Sequence, residues 1–371
     1  MKKNIFKLFS AMVVSATVLT SCIEEIFPEN STATSEQIGA SASALEAAIN
    51  GLPSQMVQGY LVYGRQVRES DLAYPSLMLV QSELLGDIVA TEYGYDWWWR
   101  YSANYGMADN TYESFLPYFA LYKFIKSAND VIAVVDVTDP TISDEMRGYG
   151  SMAHAFRALD YYTLMVLFEP VENIYTDCSK ILGLTVPIVT EATTNDMAKN
   201  NPRATREEMM AFILSDLDKA EIGLADYTPT SKTFPDLSVV YGLKAKVYMW
   251  NGEYAKAAEY ARKAIDASGA TPMTAAQWHN PTTGFNAATS SWMWYFHPTA
   301  SNMGNLANFV GHISGEADWG YASLSKPQIA RSLYDGIADT DFRKYSFLDP
   351  DRSIYDYQSV QGDANSPTTF H

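Results

Sequence analysis

The stretch VVYGLKAKVYMWNGEYAKAAEYARKAIDAS, residues 239–268, decides the architecture. Ala245, Tyr248, Gly252, Tyr254, Ala257, Ala261 and Ala264 stand at the spacings of a tetratricopeptide repeat, in which small side chains let paired helices approach closely. Asn251-Gly252 reads as the turn between the two helices, and the second is predicted to start near Glu253. One such pair cannot bury its own apolar faces, so further helices have to stack on it.

Working upstream, Pro202 and the capping box Thr205-x-x-Glu208 open a helix whose inner face is Met209, Phe212, Ile213, Leu217 and Ala220. The segment from Glu145 to Phe168 carries two apolar stripes, Ala155-Leu159-Tyr162-Val166 and His154-Ala158-Tyr161-Met165-Phe168. A helix apolar over that much of its circumference is predicted to be central, and His154 reads as a hydrogen-bonded core imidazole. Before the turn-rich VTDPTISD (137–144), a helix over about 112–135 places Leu121, Ile125, Ala128, Ile132 and Val135 on one continuous stripe. Pro75 starts another expected helix, with Leu77, Val80, Leu84 and Leu85 at helical spacing. Downstream of residue 270 the habit breaks, leaving WMWYF (292–296) and one short helix expected near Lys326 to Leu333. The fold class is therefore all-α, a tetratricopeptide-like helical repeat scaffold with inserted loops and an irregular C-terminal part.

With 47% apolar residues in 371, the chain has enough to build a substantial core, which excludes intrinsic disorder. The balance of 43 acidic against 26 basic residues, net −17, lacks the electrostatic footprint of a nucleic-acid binder. Two cysteines, Cys22 and Cys178, supply neither a disulfide framework nor a four-sulfur zinc site, and the five histidines form no His-Glu-x-x-His pair. Neither a G-x-S-x-G elbow nor a phosphate-binding glycine loop is present, so no enzyme, metal or cofactor chemistry is expected. Asp339, Asp341, Asp349 and Asp351 contain the carboxylates a glycosidase needs, but their spacing sets no distance between them, and they read as helix-end and turn residues.

Residues 1–21 form a secretory signal, with Lys2, Lys3 and Lys7 ahead of an apolar run too short to span a bilayer. Leu19-Thr20-Ser21-Cys22 resembles the bacterial lipobox, which makes Cys22 the acylated first residue of the mature protein and its one expected membrane contact. Residues 22–36 read as a flexible tether, and residues 37–371 as a single domain.

The stretch YGYDWWWRYSANY (93–105) calls for a binding function. Successive side chains point about 100° apart in a helix and to opposite faces in a strand, so Trp97, Trp98 and Trp99 cannot all be buried against one surface. An exposed indole beside Tyr95, Asp96, Arg100 and Asn104 offers an apolar platform for a pyranose face together with hydrogen-bonding partners for its hydroxyls. Trp292, Trp294 and Tyr295, in a strand-like or extended SWMWYF, form a second candidate group, and Trp319 and Tyr321 a weaker one.

The order of four pieces resembles the SusD/RagB family of Bacteroidetes outer-membrane lipoproteins. These are the lipobox Cys22; AHAFRALDYYTLMVLFEPV (153–171) followed by the proline segment LTVPIVTE (184–191); NPRATREEMMAFILSDLDKAE (201–221); and the repeat helices 239–268. SLYDGIADTDFRKYSFLD (332–349) is similar to the family's Tyr, Asp-x-Asp, Arg stretch. Family members continue well beyond that point, so the resemblance implies that the C-terminal portion is missing here. It also implies a surface glycan-binding subunit that sits on a SusC-like TonB-dependent transporter barrel and hands oligosaccharides to it. Glu24 and Glu25 resemble the family's acidic export signal, which implies an outer-membrane anchor facing the cell exterior. The alternative kept open is a helical-repeat adaptor that binds peptide or protein partners.

Overall fold

The computed structural model describes residues 35–39, 41–58, 74, 112–174, 176–280, 282, 288–297 and 331–347, with two-residue strands at 61–62, 65–66, 88–89 and 328–329. In chain order the elements are α1 (Ser35–Gly39), α2 (Ala42–Met56), β1 (Leu61–Val62), β2 (Arg65–Gln66), β3 (Ile88–Val89), α3 (Tyr112–Ile132) and α4 (Asp144–Phe168). After them come α5 (Asn195–Lys199), α6 (Arg206–Leu224), α7 (Leu237–Trp250), α8 (Tyr254–Ser268), α9 (Ala275–Trp278), β4 (Gln328–Ile329), α10 (Arg331–Gly336) and a 3₁₀ turn, Phe342–Phe347. β1 pairs antiparallel with β2, and β3 with β4.

Long α4 is the axis. Every residue from Gly148 to Tyr161 is buried, because α3 packs on one side of the helix and α6 on the other. Small residues make the second approach possible: a Cβ on Gly223 of α6 would lie 2.3 Å from Ser151 Oγ and 2.7 Å from the Arg147 carbonyl oxygen. Local chemistry fixes the helix starts. Ser143 Oγ accepts from Met146 N–H at 3.2 Å to cap α4, and Thr205 and Glu208 close the expected capping box on α6. Leu121, Ile125 and Ala128 of α3 are fully buried, as their stripe requires.

The repeat hairpin forms as read from the sequence. α7 and α8 pack along their length, Ala257 and Ala264 are buried between them, and the chain reverses at Gly252, whose φ of 76° favours glycine. Tyr254 departs from the repeat pattern and stands 72% exposed. Near residue 330 the structure has strand β4 followed by α10 from Arg331, where a helix from Lys326 was expected.

Residues 184–191 run extended through the helices with almost no ladder of their own. Thr185 N–H donates to the Ala204 carbonyl (2.7 Å) and the Val186 carbonyl accepts from Ala204 N–H (3.1 Å), and beyond them side chains satisfy the backbone. Tyr122 Oη donates to the Pro187 carbonyl (2.6 Å), Asn201 Nδ2 to Ile188 (2.7 Å) and Asn129 Nδ2 to Val189 (3.2 Å). Tyr161 Oη accepts from Val189 N–H at 2.7 Å and donates to its carbonyl at 2.9 Å. Such accounting is what allows a non-helical strand in a helical interior.

Candidate functional site

Three of the expected binding residues lie in the described structure. Trp292, Trp294 and Tyr295 sit on an extended segment that joins no sheet ladder among the described residues. Three hydrogen bonds tie it to the loop before α7: Lys232 Nζ to the Trp292 carbonyl (2.5 Å), Tyr295 N–H to the Lys232 carbonyl (3.1 Å) and Trp294 Nε1–H to the Thr233 carbonyl (2.9 Å). Trp294 turns inward, meeting Phe156 of α4 edge-on at 5.4 Å and Phe296 at 5.2 Å, and it packs on the core with Met293. Trp292 and Tyr295 are half-buried and lie outside that core group, their rings 5.6 Å apart in edge-to-face contact. The segment thus separates one indole packed on the core from a partly exposed Trp–Tyr pair outside it. Tyr95, Asp96, Trp97, Trp98, Trp99, Arg100, Asn104, Trp319, Tyr321 and the lipidation residue Cys22 lie outside the described residues.

Asp341 is held by Arg343 in a bidentate pair (2.5–3.1 Å) and Asp339 by Lys344 (2.7 Å), as turn residues would be. Among the described residues, no group of three or more His, Cys, Asp or Glu side chains is arranged to hold a metal ion. A surface cleft of about 320 Å³ is lined by Ile188, Thr193, Asp196, Met197, Asn200 and Asn201, at the small end of ligand-pocket volumes.

α4 also carries a polar knot that sequence reading missed apart from His154. Arg157 is 2% exposed and donates Nε–H to Asp216 Oδ2 (2.7 Å), Nη2–H to Asp216 Oδ1 (2.7 Å), and Nη1–H to Asn129 Oδ1 (2.6 Å) and Glu191 Oε2 (2.7 Å). His154 Nδ1 lies 2.8 Å from Asp216 Oδ1. Burial alone would raise the Asp216 carboxyl, but hydrogen bonds from Arg157 and His154 outweigh it and hold the group below the ordinary carboxylate range. Burial lowers His154 more than Asp216 raises it, so the ring is neutral at pH 7. A neutral imidazole facing an ionised carboxylate has to donate, which assigns the proton to Nδ1. The knot joins α3, α4, α6 and residue 191, and has no exposed nucleophile or open coordination position. Its chemistry is positional.

Comparison with known proteins agrees with this architecture. A SusD-like carbohydrate-binding protein from Bacteroides vulgatus ATCC 8482 superposes with a TM-score of 0.63 at 18% identity, covering 82% of this chain and 60% of that one. A SusD superfamily protein from Bacteroides thetaiotaomicron VPI-5482 gives 0.60 at 20% identity, covering 84% and 65%. Surface glycan-binding protein A from Bacteroides uniformis gives 0.57 at 14% identity, again covering 84% and 65%. At these identities the likeness establishes the fold, and the chain spans about 60–65% of the length of these relatives. No curated protein matches it. Residues 54–249, just over half of the chain, match the SusD-like family model described as starch-binding associating with outer membrane, and the chain belongs to that family.

Proposed function

We propose that this protein is a non-catalytic, cell-surface oligosaccharide-binding subunit of a TonB-dependent outer-membrane uptake system, anchored by acylated Cys22 and partnered by a SusC-like barrel. The observation that carries the reading is family membership. Its description names starch binding and the outer membrane, and one solved relative is named as a surface glycan-binding protein. The Trp292–Tyr295 pair supports it physically: two rings in edge contact, neither in the core, present the apolar surface on which a pyranose stacks. The tryptophans at 97–99, with Tyr95, Asp96, Arg100 and Asn104 as hydroxyl partners, form the other glycan-binding group in this reading.

The test is calorimetric titration of a soluble form lacking residues 1–21 and carrying Cys22→Ala with a panel of oligosaccharides. Binding to one glycan class is the expected result. A chain that is folded and binds no saccharide would refute the reading. Crosslinking in native outer membranes tests the partner, and recovery of the protein without a barrel would favour the adaptor. The adaptor has one observation of its own, the exposed Tyr254 (72%) and Ile265 (53%) on the outer side of α8.

A further inference from the structure

Asp160 breaks the pairing rule that the rest of α4 obeys. It is 1% exposed, and among the described residues neither of its carboxyl oxygens has a hydrogen-bond partner. Buried polar groups almost always have one, and Arg157, three residues earlier on the same helix, has three. An isolated ion at such a position costs far more than the neutral acid, so the group keeps its proton.

What lies against Asp160 gives that proton a consequence. Phe156, Asp160 and Thr163 follow one another on α4 at steps of four and three, which puts them on one stripe. Phe156 meets Trp294, and the Tyr74 phenol faces both Thr163 and Asp160 while its ring packs on Phe296 at 4.9 Å. The stripe is therefore the α4 side of the contact with the aromatic segment. On α4 itself, Arg157 is turned into its knot with Asp216 and Glu191, the Tyr161 phenol is near enough to feel Asp160, and Tyr162 lies toward Tyr74 with Lys246 of α7 over its ring at 5.8 Å. From the opposite side the titratable group is Tyr74, pushed up to about 12 by burial first and by Asp160 next. Burial pushes the Asp160 carboxyl well above the ordinary range, and no neighbouring charge opposes it.

We propose that Asp160 is a proton-dependent latch: the neutral acid lets the 292–296 segment pack on α4, and loss of the proton draws water to the carboxylate and lifts the segment away. The packed state holds the proton to higher pH than the open state does. Packing is therefore fullest below the open-state pKa of about 3.9 and weakens as pH rises toward the packed-state value. One proton separates the two states, so the packing constant falls by up to about tenfold per pH unit across that range.

The test is hydrogen exchange of the Tyr295 amide, which donates to the Lys232 carbonyl, in the full chain between pH 5 and pH 9. The rate is expressed relative to the intrinsic rate at each pH. Protection is expected to fall by up to about tenfold per unit in the wild type and to stay flat in Asp160→Asn, which cannot ionise. Equal slopes in the two proteins overturn the latch. Should the variant fail to fold, the infrared spectrum of the wild type at pH 7 decides. A protonated-carboxyl band that disappears as Tyr295 protection is lost supports the latch, and the absence of that band while Tyr295 is still protected overturns it.

Discussion

Replacing Arg157 by Leu tests whether the polar knot holds the helices together. The substitution removes both hydrogen bonds from the guanidinium to Asp216, whose side chain is 2% exposed, and leaves His154 as its remaining partner in the knot. Breaking a buried pair from one side costs about 3–5 kcal/mol, because a desolvated charge is left behind. Glu191 also loses Arg157, but at 32% exposure it can turn to water and adds little. Asp216→Leu should cost a similar amount. The double variant removes both charges, so its cost should fall short of the sum by about 2 kcal/mol. Chemical denaturation followed by circular dichroism measures all four proteins. The pH dependence sharpens the test. In the wild type Asp216 is held below its unfolded value, so its stabilisation is present above about pH 4 and lost as pH falls through the folded-state pKa. Without Arg157 burial prevails, the Asp216 pKa rises, and protonation relieves the stranded charge. The stability gap between wild type and Arg157→Leu should therefore narrow on acidification. Additive single variants, or a gap that does not change with pH, would refute the assignment.

Four further outcomes follow from the geometry. Tyr161→Phe should cost about 1–3 kcal/mol in denaturation experiments, because the Val189 N–H loses its acceptor whereas the Val189 carbonyl keeps Asn129. Gly223→Ala should destabilise by about 1–3 kcal/mol despite alanine's better helix propensity, since its Cβ would meet the backbone oxygen of Arg147 as well as Ser151. Trp294→Ala should lower stability by about 3 kcal/mol. Trp292→Ala should leave the fold intact and weaken saccharide binding by roughly 3- to 30-fold, as read by thermal unfolding and calorimetry.

The helical frame was readable wherever short-range signals were sufficient. Thr205 and Glu208 are three residues apart, and the cap they predict is the one that forms. The double stripe on 145–168 says that α4 is enclosed, and it is. Pairing across the fold leaves no such trace. Arg157 and Asp216 are 59 residues apart, and an arginine beside apolar stripes reads equally well as a side chain snorkelling to water. Residues 184–191 were visible as a proline segment, but the groups at Pro187 and Val189 are satisfied by side chains of α3 and α4, 28 to 65 residues away, which no period in the sequence encodes. In the aromatic segment, alternation implies that Trp292 and Trp294 share a face. The bend at Met293 breaks that parity, so Trp292 pairs with Tyr295 and Trp294 goes inward with Phe296.

These attachments explain why stability and ligand affinity should respond to different substitutions. The knot and the proline segment draw on α3, α4 and α6 together, so a change there is felt by three helices. The aromatic segment is joined by backbone and indole hydrogen bonds to Lys232 and Thr233, and by ring contacts to Phe156 and Tyr74. A segment with so local a set of attachments can move while the helices stay packed. The ring that binds it to the frame is Trp294, and the rings it carries outward are Trp292 and Tyr295. Loosening the segment through Asp160 or Lys232 should therefore weaken any ligand stacked on the outer pair before it changes the unfolding of α3, α4 and α6. Damage to Arg157 should do the reverse, lowering global stability while leaving affinity unchanged in the fraction that is folded.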